Sequence, residues 1–321
     1  MSEAPLRWGL IGAGDVCERK GGPPLYQVPG HRLVACTRRD AEKGADYARR
    51  HGPCRYVPTV DELLAMPEID AVYVATPPGV HCVQTLAAAR AGKHVLVEKP
   101  MALHAGECAE MITACRAAGV TLAVAYYRRG YPSILRAAEL LRLGEIGTLR
   151  DIEINDEFPP SHRLDLVHFF AGDLASVRTE AVDGPAGARL FAETLSGVRL
   201  RMNLGWRESP KPFEQIRLTG DGGEIFIDDL KGGSLEVRHS GGIRRETFPP
   251  LPWTHWGLVE NFGQALRGEA RLACDGAEGR KSSVVLDVVS LLRPGEPAVR
   301  VDYEHPPSPD ALRASGLNLL G

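Results

Sequence analysis

"RWGLIGAGDVC", residues 7–17, runs five strand-like residues straight into two glycines. Gly12 and Gly14 stand where a tight turn and a close backbone approach to a pyrophosphate need residues without a side chain. The helix expected next would supply N–H donors and a positive dipole end. Cys17 takes the place of the third Gly or Ala of that fingerprint and is small enough for close packing. Glycines at this spacing mean little alone, and a place after the first strand of a βαβ array gives them weight. The stretch "KGGPP" (20–24) interrupts the following helix, which predicts a first turn, a break and a second short helix.

Such an array follows. Strand-like runs recur at 32–36, 71–75, 94–98 and 121–125, with helical patterns between them. Over 79–91, Val80, Val83, Leu86 and Ala87 share one face, and a helix over 104–118 stops at Gly119. This alternation implies right-handed crossovers and a parallel sheet covered on both faces. After residue 125 the texture changes. A helix around 132–143 leads into "TLRDIEIND", "ARLFAET", "VRLRMNLGW", "FEQIRLTG", "GEIFIDD" and "SLEVRHS", with the turns "GDGG", "KGG" and "SGG". Two helices are expected at about 256–267 and 279–291. The fold class is therefore α/β, an N-terminal Rossmann doubly wound parallel sheet over 1–125. A C-terminal α+β domain with an open, largely antiparallel sheet fills 126–321. From Pro306 the tail is expected to be loosely ordered or docked on a partner.

Composition narrows the classes. The 321 residues, 44% hydrophobic and 25% charged, suit a globular protein of two domains. A net charge of −3 speaks against a nucleic-acid or anionic-membrane partner. No apolar run approaches the roughly 18–20 residues that span a bilayer, and the N-terminus does not read as a signal peptide. The seven cysteines (17, 36, 54, 82, 108, 115, 274) are odd in number, scattered and without a Cys-x-x-Cys pair. Neither a metal site nor a disulfide framework is indicated, and reduced thiols place the chain in a cytoplasm.

Candidate site residues fall at strand ends. After the second strand, where an acid usually reads a ribose 2′-hydroxyl, the chain has Thr37, Arg38 and Arg39, with no carboxylate until Asp40. Two guanidinium forks favour a 2′-phosphate, so NADP(H) is preferred over NAD(H), which remains possible; the bland alternative is a solvated arginine pair. Thr76, Pro77 and Pro78 make a stiff turn beside the crevice, and His81 either opens the next helix or joins the cofactor set. In "HVLVEKPMAL" (94–103) a buried strand ends in Glu98, Lys99 and Pro100. The proline restricts the lysine's backbone and aims it from the carboxyl end of a parallel strand, where open α/β sheets bind ligands.

Together, "GAGDV", "VYVATPPGVH", "AGKHVLVEKPMAL" and "VAYYRR" occur in an order that resembles the glucose–fructose oxidoreductase / inositol dehydrogenase / rhizopine-catabolism (Gfo/Idh/MocA) family across nearly the whole chain. The Glu-Lys-Pro element is the most specific of them. The resemblance implies cofactor contacts from Gly12, Gly14, Asp15, Val16, Thr37, Arg38, Arg39, Thr76, Pro77, His81, Glu98 and Lys99. It also implies that Lys99 lies at the nicotinamide and the substrate carbinol, that a cis peptide precedes Pro100, and that Tyr127 and Arg128 face the substrate. A family motif of Asp, three residues, His, two residues and Asp, after a glycine-rich loop, aligns with "INDEFPPSHRLDLVHFFAGD". His162 and Asp165 match its His and second Asp, Phe158 stands at the first Asp, and the glycine-rich loop is missing. Asp156 or Glu157 is the candidate substitute.

Ser161 is expected to cap a helix starting at or near His162, with Pro160 setting its entry. That helix is apolar nearly all round, so it is expected to be buried with its start at the interdomain cleft. His162 and Asp165, three apart, share a face; the alternative to a proton-transfer role is a structural histidine bonded to Asp165. The implied activity is hydride transfer between a nicotinamide and a secondary alcohol or ketone of a sugar, cyclitol or related polyol, with Lys99 and His162 catalytic. Other chemistry on the same scaffold (imine reduction, an oxidation–elimination cycle) and a non-catalytic dinucleotide sensor are the rival readings. A small sugar-like substrate and a homodimer or homotetramer, pairing through the open sheet, complete the expectation.

Overall fold

In the computed structural model, which describes residues 4–156, 159–182, 187–205 and 214–315, the first strands form one parallel sheet. They are β1 (Leu6–Ile11), β2 (His31–Thr37), β3 (Arg55–Tyr56), β4 (Ala71–Val74), β5 (His94–Val97) and β6 (Leu122–Val124). Their order, β3-β2-β1-β4-β5-β6, is doubly wound, with the winding reversed between β1 and β4. Val72, Tyr73, Val74, Val95, Leu96 and Val97 are all buried, as expected of central parallel strands covered by helices on both faces.

The crossovers carry α1 (Pro24–Gln27), α2 (Ala41–Arg50), α3 (Val60–Leu64), α4 (His81–Arg90) and α5 (Ala105–Ala117). The break expected at "KGGPP" is present: a π turn over Cys17–Gly21 precedes α1, whose N-cap is Pro23. The two-residue β3 and the single-turn α3 were not expected, being too short to show a period.

Further along the chain come α6 (Pro132–Arg142), β7 (Leu149–Asp156), α7 (Pro160–Ala171), β8 (Leu174–Ala181), β9 (Ala188–Thr194), β10 (Arg199–Asn203), β11 (Glu214–Gly220), β12 (Gly223–Ile227), β13 (Ser234–His239) and β14 (Gly242–Thr247). After these lie α8 (Trp256–Leu266), α9 (Gly276–Leu291), β15 (Val299–Arg300) and α10 (Pro309–Ser315). The second sheet runs β14-β13-β12-β11-β7-β10-β9-β8-β15 and is antiparallel except where β7 meets β10. Alternation is clean: Ile152, Ile154, Leu200, Met202, Ile216, Leu218, Ile225 and Ile227 are buried. Between them, Arg217 and Arg238 lie over the Phe226 ring at 4.9 and 5.3 Å. Strand β14 escaped the sequence reading because "GIRRET" is polar and exposed. Within the described part of the tail from Pro306, Pro309–Ser315 is helical.

The chain divides into two units. One comprises the residues up to Gly130 with Pro252–Arg280; the other comprises Tyr131–Leu251 with the residues from Lys281 on. A boundary at 125/126 follows chain order, whereas the first unit also takes 252–280. The cause is packing: Phe262 of α8 lies against Trp8 of β1 (5.1 Å between rings), whose indole also donates to His31 Nδ1 (3.0 Å). Asp275 bridges to Ala123 beside β6. No helix among the described residues is long and apolar enough to cross a membrane.

Candidate active site

The glycine turn leaves β1 at a point gripped from two sides. The N–H groups of Gly12 and Ala13 both donate to Thr37 O (3.0 and 3.1 Å), tying the turn to the end of β2. Gly12 has φ +91°, and a Cβ there would stand 2.6 Å from Thr76 Cγ2 and 3.0 Å from Thr76 N. Only glycine fits such a left-handed, crowded position. At Gly14, by contrast, a Cβ would meet nothing nearer than Gly12 O at 3.9 Å, so this side of the turn is open to a ligand. Asp15 is exposed and pairs with Arg19 (3.0 Å); Val16 is half-buried.

At the end of β2, Thr37 is buried and its hydroxyl donates to Pro58 O (3.3 Å). Arg38 is half-buried and its Nη1 donates to Ala13 O (2.7 Å), so this guanidinium lies against the glycine turn; Arg39 is exposed. Asp40 is the N-cap of α2. Its carboxylate accepts from Lys43 N (3.1 Å) and pairs with Lys43 Nζ (3.3 Å). The first acid after the strand is therefore committed to a helix end, which leaves the arginines as the charged groups beside the turn.

The loop after β4 is braced from behind. Thr76 Oγ1 donates to Gln84 Oε1 (2.6 Å), and Pro77 is exposed. His81 opens α4, fully buried, with its ring nitrogens 2.7 Å from Thr76 O and 3.0 Å from Pro100 O. The imidazole thus ties the β4 loop to the β5 loop, and this commitment argues against a cofactor contact from its ring.

Beyond β5 the Lys99–Pro100 peptide is cis. Glu98 is 5% exposed. Its Oε1 accepts from Tyr73 Oη (2.5 Å) and His255 Nε2 (2.8 Å), and its Oε2 from Lys99 N (3.1 Å). Burial alone would push this carboxyl up, but the His255 hydrogen bond and charge, with Lys99 and Tyr73, hold it down at about 2. Burial also pushes the Tyr73 phenol well above its ordinary value, so it stays a donor. Lys99 is half-buried, and burial lowers its ammonium below the ordinary lysine value; Glu98 opposes that shift and Arg128 adds to it. A lysine shifted this way exchanges protons nearer neutrality. Tyr127 and Arg128 follow β6, both buried, and the Tyr127 ring lies 4.5 Å from that of His255. His255 was missed in the sequence. It lies 157 positions from Glu98, in "PWTHWG", and no spacing connects the two.

His162 and Asp165 belong to the second unit, both buried on α7. The expectation of a buried helix holds, since Pro160 through His168 are all buried. The expected cap does not: α7 starts at Pro160 with Pro159 as N-cap, no side chain caps it, and Ser161 sits inside the first turn. Proline at the first helical position has the φ a helix needs and no N–H to satisfy, so the start needs no hydroxyl. Glu157 and Phe158 lie outside the described residues; Asp156 ends β7 opposite Glu214.

Residues 6–126 match the family described as "Oxidoreductase family, NAD-binding Rossmann fold". Oxidoreductase P35 of Formosa agariphila is 40% identical over 152 residues, 47% of each chain. A 1,5-anhydro-D-fructose reductase of Ensifer adhaerens is 40% identical over 240 residues, covering 74% of this chain and 67% of the reductase. The chain thus spans about half of the first relative's length and two thirds of the second's. An oxidoreductase from Agrobacterium radiobacter, solved with NAD+, L-tartaric acid and magnesium, superposes with a TM-score of 0.81 at 18% identity, over 93% of this chain and 99% of that one; at such identity the likeness speaks for the fold.

Proposed function

This chain belongs to the oxidoreductase family with an NAD-binding Rossmann fold (Gfo/Idh/MocA), and from that membership we propose that it is an NADP-preferring enzyme acting on a sugar-like substrate. It moves a hydride between the nicotinamide and a secondary alcohol or ketone of a sugar, cyclitol or related polyol. What supports this reading is Lys99 at the carboxyl end of β5, in the same unit as the open glycine turn, with its ammonium held by burial below the ordinary lysine value. The residues present fit a dinucleotide phosphate: Gly14 leaves room for a pyrophosphate, and Arg38 and Arg39 stand where a 2′-phosphate would need cations. When bound, the cofactor supplies or accepts the hydride. Lys99 holds the carbinol or carbonyl oxygen, with Tyr127 and Arg128 beside the substrate; for His162 and Asp165, of the second unit, the proposed roles are proton transfer and substrate binding. A relative named as an anhydrofructose reductase supports a sugar-like ketone as one form of the substrate. The open face of the second sheet is the proposed contact of a homodimer or homotetramer, and the free cysteines suit a cytoplasmic setting.

Steady-state turnover against a panel of polyols and their ketones, with NADP(H) and NAD(H), tests the proposal; no turnover across the panel with bound NADPH would favour a sensor. For cofactor choice, calorimetry should give tighter binding of NADPH than NADH. Replacing Arg38 and Arg39 by alanine should erase most of that gap, about 1–3 kcal/mol for lost charge-assisted contacts. Because Arg38 also holds Ala13 O, both cofactors weaken together, and the difference between them is the quantity to read. Equal affinities in the parent protein would sink the preference. His162→Asn should lower turnover by about 10²-fold and flatten the acid limb of its pH profile, with NADPH affinity little changed. Unchanged turnover would return His162 to a structural role.

A further inference from the structure

The sequence motif places a carboxylate next to the lysine that the proposed chemistry needs as a free ammonium. A buried acid beside a buried base ordinarily pairs with it, since each relieves the other's lost hydration. Here the pair does not form. Glu98 accepts from Tyr73, from His255 and from the Lys99 backbone N–H, while no hydrogen bond or ion pair engages the Lys99 ammonium among the described residues.

We infer that Tyr73 and His255 clamp the Glu98 carboxylate away from the Lys99 ammonium, which makes His255 a positioning residue for that lysine. The clamp is rigid on its own account. His255 is buried, its Nδ1 lies 3.0 Å from Thr254 Oγ1, and its ring packs at 36° against Tyr127. Tyr73 stands on β4, next to the strand that ends in Glu98, and approaches the His255 ring edge-on at 6.2 Å. The other titratable or charged groups acting on the pair in this unit are Cys17 of the π turn and Arg128 after β6. Arg128 disfavours the ammonium and Cys17 is a buried neutral thiol, so neither competes for Lys99.

The consequence for catalysis rests on the reading of Lys99 as the group at the carbinol; the clamp itself does not. Without the His255 donor, Oε1 keeps Tyr73 alone, and the Lys99 ammonium, whose charge already acts on Glu98, becomes its replacement partner. A closed ion pair raises the lysine's pKa and withdraws it from substrate.

The test titrates Lys99 directly. Lysines are reductively methylated with 13C-formaldehyde, the Lys99 resonance is assigned with Lys99→Arg, and its pKa is followed by NMR. His255→Ala should move that pKa up by about one unit, the lower end of the effect of a newly paired opposite charge. Tyr73→Phe should move it the same way, which keeps the test alive if His255→Ala fails to fold. His255→Gln, which can present an N–H in place of Nε2, should largely restore the parent value, and adding Glu98→Gln to His255→Ala should abolish the upward shift. The falling, high-pH limb of the kcat profile should follow the NMR pKa. An unmoved Lys99 pKa in folded His255→Ala and Tyr73→Phe overturns the clamp, as does a shift that survives Glu98→Gln. If the NMR shift occurs while Lys99→Ala still turns over normally, the clamp stands and the catalytic reading of Lys99 falls.

Discussion

Lys99→Ala folds like the parent, binds NADPH with little change and loses at least about 10²-fold in turnover, some 2.7 kcal/mol of transition-state stabilisation. The fold should tolerate the change because no described residue is hydrogen-bonded or ion-paired to the ammonium, and removing a partly desolvated charge relieves a cost. Cofactor affinity should hold because the proposed pyrophosphate and ribose contacts lie at the glycine turn and the end of β2. The residual activity should also lose its lysine titration. In the proposal the Lys99 ammonium holds the substrate oxygen, so in the parent turnover falls as pH rises through the Lys99 pKa, which burial has moved below the ordinary lysine value. Thermal denaturation, NADPH calorimetry and pH-resolved kinetics on one variant read all three. Normal turnover, or a protein that no longer folds, would end the assignment.

The second large effect is expected at Gly12. Gly12→Ala places a Cβ 2.6 Å from Thr76 Cγ2 at φ +91°, and Thr76 cannot swing clear without giving up its bond to Gln84. The backbone conformation alone should cost about 1–3 kcal/mol. The clash should add to that by pushing the turn away from β4, so NADPH affinity falls by more than tenfold with a lowered melting temperature. Gly119→Ala is the control: φ is +66° there, but nothing lies within 4 Å of the new Cβ. It should pay for the backbone alone and bind NADPH normally. Equal losses of cofactor affinity in the two variants would mean that the close approach at Gly12 is not what shapes the turn.

Much of this protein is written locally. Val95, Leu96 and Val97 announce a strand covered on both faces, and Gly12 and Gly14 announce the turn that follows the first strand. The broken helix at "KGGPP" and the alternating strands of the second sheet are equally legible, because backbone limits and side-chain period act over a few neighbouring residues. Glu98, Lys99 and Pro100 could be singled out for the same reason. Their partners could not. His255 meets Glu98 across 157 positions, and a lone histidine between two tryptophans has no period or spacing to betray it. The return of residues 252–280 to the first unit follows from Phe262 packing on Trp8, and the commitment of Asp40 follows from where α2 begins. Strand ends and turns were determined by the sequence itself, through local sterics and patterning. Which histidine is spent between two loops and which one holds Glu98 were decided by the tertiary structure, because those contacts exist only once distant segments share one core.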